Sequence, residues 1–81
     1  MNTEGQLRSF IVDELRWEGG ETLTADYPLI TRGVVDSLGI LSIVSFIEST
    51  FAVQIQDEEL VPEHFGTIAS MARLIDAKVA A

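Results

Sequence analysis

Ser37 is the residue whose neighbours most suggest chemistry. It lies in the tripeptide Asp36-Ser37-Leu38, which opens a long run of apolar residues. A serine hydroxyl is a weak nucleophile until a nearby base accepts its proton. The chain contains one histidine, His64, and its neighbours give no sign of a catalytic triad. If Ser37 takes part in a reaction, the sequence therefore predicts that another protein supplies the base.

Two further kinds of chemistry are excluded by composition. The chain has no cysteine, so it forms no disulfide and has no thiol nucleophile of its own. With one histidine and no cysteine it cannot build a Cys/His zinc site. A small hydrolase would also need a pocket, which a helical chain of 81 residues rarely encloses. We expect no catalytic residue and no enzyme activity.

Charge and length narrow the class of protein. Residues 1–81 fit a single domain, and 47% of them are hydrophobic. Thirteen acidic residues against five basic ones give a net charge of −8, which argues against nucleic acid and anionic membranes as partners. The same charge either steers the chain toward basic partners or simply keeps it dissolved. The first five residues do not resemble a signal peptide, and no apolar run is long enough to span a bilayer, so we expect a cytoplasmic protein.

The elements that must position Ser37 are helical. A first helix is predicted from a capping box of Thr3 and Gln6 to Gly19-Gly20, with Trp17 at the edge of the core. Its apolar stripe consists of Leu7, Phe10, Ile11 and Leu15. A long loop, residues 18–36, follows, and in it Leu29 and Ile30 are predicted to anchor the chain to the core.

The second helix begins at Asp36 or Ser37, because both residues are good N-caps. Its core stripe is predicted to be Ile40, Ile43, Val44, Ile47 and Phe51. Roughly opposite lies a second face, apolar beside Ser37 and polar farther along. That face consists of Leu38, Leu41, Ser42, Ser45 and Ser49.

The remainder of the chain is predicted to hold a short helix and a long one. An extended connector, residues 51–56, leads to one or two turns over residues 57–61, which Pro62 is expected to stop. Thr67 is expected to cap the last helix, with Ile68, Met71, Ala72, Ile75 and Val79 as its buried stripe. The predicted fold is all-α: a four-helix bundle with three main helices, a short third helix and a long loop between the first two.

This arrangement resembles a known family. Asp36-Ser37-Leu38, preceded by Gly33 and opening an amphipathic helix, is similar to the attachment motif of acyl carrier and peptidyl carrier proteins. The connector at 51–55, the acidic run at 57–63 and Phe65-Gly66-Thr67-Ile68 also lie where such carriers have them. The resemblance covers essentially the whole chain. Met71 and the aromatic residues Phe10, Phe46 and Phe51 are expected in the core.

The resemblance implies a cofactor and partners. A phosphopantetheinyl transferase would move phosphopantetheine from coenzyme A to Ser37, and the arm's thiol would carry the cargo as a thioester. Asp36 would cap the helix and present the serine, and Leu38 would contact the partner. Leu41, Ser42 and Ser45 complete the expected partner face. The other implied partners are an acyl- or aminoacyl-loading enzyme or acyltransferase and a downstream synthase, with the carrier itself a monomer.

One departure from the family concerns the pathway. Carriers of bacterial fatty acid synthesis place several acids on the second helix, whereas here Glu48 is the only charged residue between Ser37 and Phe51. Docking is therefore expected to depend more on Leu38 and Leu41 than on ion pairs. This favours a carrier of polyketide or related antibiotic biosynthesis, with a D-alanyl or peptidyl carrier as the alternative. From another class, a non-covalent helical adaptor could use the same face without modification of Ser37.

Overall fold

Four α-helices make up the computed structural model, which describes residues 3–14 and 23–80. They are α1 (Thr3–Glu14), α2 (Ser37–Phe51), α3 (Pro62–Phe65) and α4 (Ile68–Ala80), with a 3-10 turn at Asp57–Glu59. Within these residues there is no strand, so the predicted all-α bundle with a short third helix is confirmed. None of the described helices has the length and apolar character needed to cross a bilayer.

One core joins all four helices to the loop before α2. Its buried side chains are Leu7, Ile11, Leu23, Leu29, Val35, Ile43, Ile47, Phe65, Ile68, Met71, Ala72 and Ile75. The predicted stripes supply most of these residues, which confirms the face that each helix turns inward. Val79 was predicted to be buried and is 59% exposed: the buried stripe of α4 ends at Ile75, and Val79 lies in the last turn of the helix.

The start of α1 is tied to the end of α4. The Thr3 hydroxyl donates a hydrogen bond to Asp76 Oδ1 at 2.9 Å. The predicted capping box is therefore wrong about Thr3, which is itself helical and turns its hydroxyl toward α4. Leu15, Trp17 and the predicted helix end at Gly19-Gly20 lie outside the described residues.

Pro62 begins a helix instead of ending one. It occupies the first position of α3, directly after Val61 in an extended conformation. A proline fits there because the first N–H groups of a helix have no partner within it and the fixed φ of the ring suits a helix start. The predicted stop is thus corrected: the turn at Asp57–Glu59 ends before Leu60.

The 3-10 turn is fastened to the end of α4 by charge. Lys78 Nζ lies 2.8 Å from Glu59 Oε1, and the backbone N–H of Gln56 donates to the same oxygen at 2.8 Å. The bond from Lys78, followed by that from Gln56, holds the pKa of the Glu59 carboxyl below its ordinary value.

A buried serine organises the start of α4. Thr67 caps the helix as predicted, since its Oγ1 accepts from the Ser70 N–H at 3.1 Å. Ser70 Oγ accepts from the Thr67 N–H at 3.2 Å and donates to the His64 carbonyl at 2.8 Å. The hydroxyl of Ser70 thereby joins the end of α3 to the first turn of α4.

The loop before α2 is fixed through Leu29. This side chain is fully buried, as predicted, whereas Ile30 is half-buried. The Leu29 N–H donates to the Gly66 carbonyl at 2.8 Å, and its own carbonyl accepts from Val34 at 2.9 Å and Val35 at 3.2 Å. The residues just before α2 are therefore held against the α3–α4 junction.

Candidate functional site

Asp36 sets the start of α2. Its backbone is extended, with φ −111°, and its Oδ1 accepts from the Gly39 N–H at 2.8 Å. The Asp36 carbonyl accepts from the Ile40 N–H at 2.8 Å and so begins the helical ladder. Of the two predicted caps, Asp36 is the one used, and Ser37 becomes the first helical residue.

Ser37 is exposed at the N-terminus of α2. The backbone N–H groups of a first helical turn point away from the helix body, and the helix dipole makes this end positive. A negatively charged group attached to the serine oxygen would lie beside these donors, which is the environment that helix N-termini give to phosphates. The position suits a covalent phosphodiester that projects into solvent.

The Ser37 hydroxyl is not hydrogen-bonded to a base in the part of the chain that the structure describes. Among residues 3–14 and 23–80, no hydrogen bond joins the Ser37 hydroxyl to another group. His64 lies half-buried on α3. The same part of the chain contains no group of three or more histidine and acidic side chains arranged to hold a metal ion. Nothing described here activates Ser37 as a nucleophile.

Six exposed residues of α2 form a continuous surface that includes Ser37, which we call the outer face; Thr50, also exposed, lies outside it. At 3.6 residues per turn its members fall within an arc of about 140°, and they span about 18 Å of the helix. Leu38 is 75% exposed and Leu41 is 58% exposed. The outer face consists of Ser37, Leu38, Leu41, Ser42, Ser45 and Ser49, all of them exposed. The residues predicted to meet a partner thus lie together on one side of α2, and Asp36 lies just before them.

Glu48 has a role that the sequence did not reveal. Its Oε2 accepts a hydrogen bond from the Ile55 N–H at 3.0 Å, and the side chain is half-buried. Between these two residues the chain leaves α2 at its C-cap, Ala52, which has a left-handed φ of 56°. The only local signal is an acid near a helix end followed by an extended connector, which does not indicate which backbone group the acid meets.

A groove on another side of the molecule is lined by α1 and α2. The rings of Phe10 and Phe46 stack with centroids 4.3 Å apart, and Phe46 meets Phe51 edge to face at 6.2 Å. All three rings are half-buried against the core, in agreement with the expected core role. The groove has a volume of about 510 Å³ and is lined by Gly5, Gln6, Ser9, Phe10, Asp13, Glu14 and Phe46. Phe46 is about half a turn around α2 from Ser37, so the groove does not adjoin the serine.

Comparison with known proteins finds a similar chain among solved structures. No protein-family model and no curated protein matches the chain. A chain in a solved structure described as "Crystal structure of FAD-dependent dehydrogenase" is 32% identical, with a TM-score of 0.77 over 85% of this chain and 97% of that chain. The two chains belong to one family. Since 85% of 81 residues is about 69, and these make up 97% of the matched chain, that chain has about 71 residues.

Proposed function

We propose that this protein is an acyl carrier protein that bears phosphopantetheine on Ser37. One observation carries the proposal: Ser37 is exposed at the first position of α2, directly after the capping residue Asp36, and within the described residues its hydroxyl has no hydrogen bond to a base. A serine so placed is accessible to a modifying enzyme and cannot act as a nucleophile unaided. The resemblance to carrier proteins identifies phosphopantetheine as the group that we propose is attached there.

The attachment step balances without any group from this chain except the serine. Ser37 Oγ forms a bond to the phosphorus next to the pantetheine of coenzyme A, and the bond from that phosphorus to adenosine 3′,5′-bisphosphate breaks. The serine proton passes to a base of the phosphopantetheinyl transferase. When bound, the arm supplies a thiol that carries an acyl or aminoacyl group as a thioester. The first-turn N–H groups of α2 other than that of Gly39, which bonds to Asp36, would face the phosphodiester.

The pathway proposed is a specialised one. The outer face has no acid of the kind that carriers of fatty acid synthesis use, which favours polyketide or related antibiotic biosynthesis over housekeeping synthesis. We propose a cytoplasmic monomer that meets a loading enzyme or acyltransferase and a downstream synthase. A D-alanyl or peptidyl carrier is the alternative within the same class.

Intact-mass measurement tests the attachment. The chain is coexpressed with a broad-specificity phosphopantetheinyl transferase, and the expected result is one added phosphopantetheine. Ser37→Ala should abolish the addition, whereas the matched control Ser9→Ala, an exposed serine on α1, should retain it. No addition to the unaltered chain, or an addition that survives Ser37→Ala, would refute the proposal. Normal partner binding by Ser37→Ala would instead favour the non-covalent adaptor.

The matched solved structure favours a further partner, an FAD-dependent dehydrogenase. The usual Rossmann site for FAD needs a strand and a G-x-G-x-x-G turn. This sequence has no such motif, and residues 3–14 and 23–80 contain no strand. We therefore propose that a chain of this kind accompanies the dehydrogenase and presents a tethered acyl group, whose two hydrogens from adjacent carbons reduce FAD to FADH₂.

Flavin absorbance under anaerobic conditions tests this partner. The dehydrogenase of the matched structure is mixed with carrier loaded with a saturated acyl group. Bleaching of the flavin by the loaded carrier, and not by the unmodified Ser37→Ala chain, is the expected result. An unchanged flavin spectrum would remove the dehydrogenase from the proposed partners. The carrier function would then be judged by the intact-mass measurement alone.

A further inference from the structure

The groove between α1 and α2 has a chemistry that the proposed function does not use. Its volume of about 510 Å³ is within the range of about 300–1,000 Å³ that is usual for ligand-binding clefts. Phe10 and Phe46 supply apolar surface to it, and Asp13 and Glu14 supply two carboxylates. Phe46 lies about half a turn around α2 from Ser37. A side chain bound in the groove therefore contacts a different side of the protein from the serine.

The two acids of the groove have no counter-ion on the helices that form it. Asp13 and Glu14 are exposed, and in the described part of the chain neither carboxylate has a hydrogen bond or an ion pair. The two helices together contain one base, Arg8, which does not line the groove. Its Nε donates to the Leu23 carbonyl at 2.7 Å. Both carboxylates are therefore available to a cation from outside the chain.

Aromatic rings in the same groove narrow the kind of cation. Phe10 and Phe46 stack with centroids 4.3 Å apart and planes 21° apart, and both are half-buried, so part of each ring still faces the groove. A cation over an aromatic ring is attracted by the negative face of the ring. A guanidinium is planar, stacks on such rings and donates to carboxylates from its edge, whereas an ammonium is compact and strongly hydrated. The combination of rings and carboxylates favours arginine over lysine.

The length of the groove indicates that a piece of chain carries this arginine. The lining residues on α1 run from Gly5 to Glu14, which is about 14 Å along the helix. That length equals about four residues of extended chain, so the groove has room for the neighbours of the arginine as well as for its side chain. A second copy of this protein is disfavoured as the source, because two chains that each have a net charge of −8 repel each other.

We propose that the groove between α1 and α2 binds an arginine side chain of a partner protein. The guanidinium lies over Phe10 and Phe46, and its N–H groups point toward Asp13 and Glu14. The inference is independent of the proposed carrier function, since none of the residues that carry it belongs to the outer face or to the start of α2. A partner bound here occupies the opposite side of α2 from Ser37.

Backbone amide NMR spectra of the full, unmodified chain test the inference. The probe is a capped pentapeptide with one arginine between two pairs of glycines, and a peptide with lysine in its place has the same charge. The unaltered chain is compared with the double variant Asp13→Asn/Glu14→Gln. The matched control is Asp57→Asn/Glu58→Gln, because these two residues are also an adjacent aspartate and glutamate, both exposed. Each double variant removes two negative charges, so general attraction of a cationic peptide changes equally in both.

We expect the arginine peptide to shift the amide signals of Ser9, Phe10 and Phe46 and to bind at least about threefold more tightly than the lysine peptide. Asp13→Asn/Glu14→Gln should weaken binding of the arginine peptide about fivefold or more, and the control variant less than about twofold. Equal weakening by the two variants would overturn the inference, and so would equal affinity for the two peptides. Either result would mean that an acidic chain attracts any cation.

A single capped arginine distinguishes a protein segment from a small guanidinium compound. We expect it to bind more weakly than the pentapeptide, because it lacks the backbone that the rest of the groove would contact. Equal or tighter binding of the single arginine would overturn the assignment of the groove to a partner protein.

Discussion

The carboxylate of Asp36 and the N–H of Gly39 are joined by a 2.8 Å hydrogen bond that closes the first turn of α2 around Ser37. The bond satisfies a backbone donor that the helix leaves without a partner. It also fixes where the helix begins and therefore the position at which the Ser37 hydroxyl meets solvent. The same hydrogen bond therefore caps α2 and sets the position of Ser37.

Two substitutions of Asp36 distinguish its role as a helix cap from the effect of its negative charge. Asp36→Ala should lower the free energy of unfolding by about 1 kcal/mol, whereas Asp36→Asn should retain most of the stability because asparagine caps equally well. Urea denaturation measures both changes. If the cap is what presents Ser37, the asparagine variant keeps its rate of modification and the alanine variant does not. Equally slow modification of both variants would show that the transferase needs the charge.

Ser70 is predicted to contribute to the stability of the fold. Its buried hydroxyl donates to the His64 carbonyl, and Ser70→Ala removes that donor. The expected loss is about 1–3 kcal/mol, the cost of leaving a buried polar group without its partner. Ser49→Ala on α2 is the control, because Ser49 is exposed and its change should be within about 0.5 kcal/mol. Similar unfolding midpoints for the two variants would contradict the role given to Ser70.

Leu29 is predicted to be the main anchor of the loop before α2. Leu29→Ala should cost about 2–5 kcal/mol, since the side chain is fully buried. The adjacent Ile30 is half-buried and offers a matched comparison, so Ile30→Ala should cost clearly less. Chemical denaturation of the two variants gives the order. A larger loss of stability for Ile30→Ala would show that Ile30, and not Leu29, is the main anchor of the loop.

Glu59 gives stability a defined pH dependence. Its pKa is lowered in the folded chain by Lys78 and by the Gln56 N–H, so the stabilisation is complete above the ordinary value of 4.5 and is lost as pH falls through the lower folded value. The Tm of the unaltered chain should exceed that of Glu59→Gln at neutral pH, and the difference should disappear in acid. Glu58→Gln, an exposed neighbour in the same turn, is the control. A Tm difference that grows in acid would have the wrong sign.

The sequence predicted the features that depend on neighbours along the chain. The helical spacing of Ile43, Ile47 and Ile75 identified the core faces, because a residue's side of a helix follows from its position alone. Asp36 and Thr67 were identified as caps for a similar reason, since a cap bonds to a backbone group two or three residues away. The candidate surface beside Ser37 could be drawn from the same periodicity.

Contacts beyond a single helical turn were not predicted. Ser70 meets the His64 carbonyl six residues away and Glu48 meets the Ile55 N–H seven residues away, so each contact depends on the path of the non-helical residues between them. Pro62 was taken as a stop because proline ends helices, although its position after an extended residue also suits a helix start. The exposure of Val79, in the last turn of α4, was missed because periodicity assigns a side of a helix and not the length over which that side is covered.

The hydrogen bonds of Leu29 bear on how the loop can vary in length. Its carbonyl accepts from both Val34 and Val35, so these bonds close residues 30–33 into a turn that begins and ends at Leu29. Lengthening such a turn would break its internal bonds from Arg32 to Pro28 and from Gly33 to Ile30, while the bonds to the Leu29 carbonyl still hold its two ends together. Relatives could gain or lose residues there while the serine stays in place. A short reporter peptide could be inserted at the tip, between Thr31 and Arg32, to follow the protein without disturbing α2.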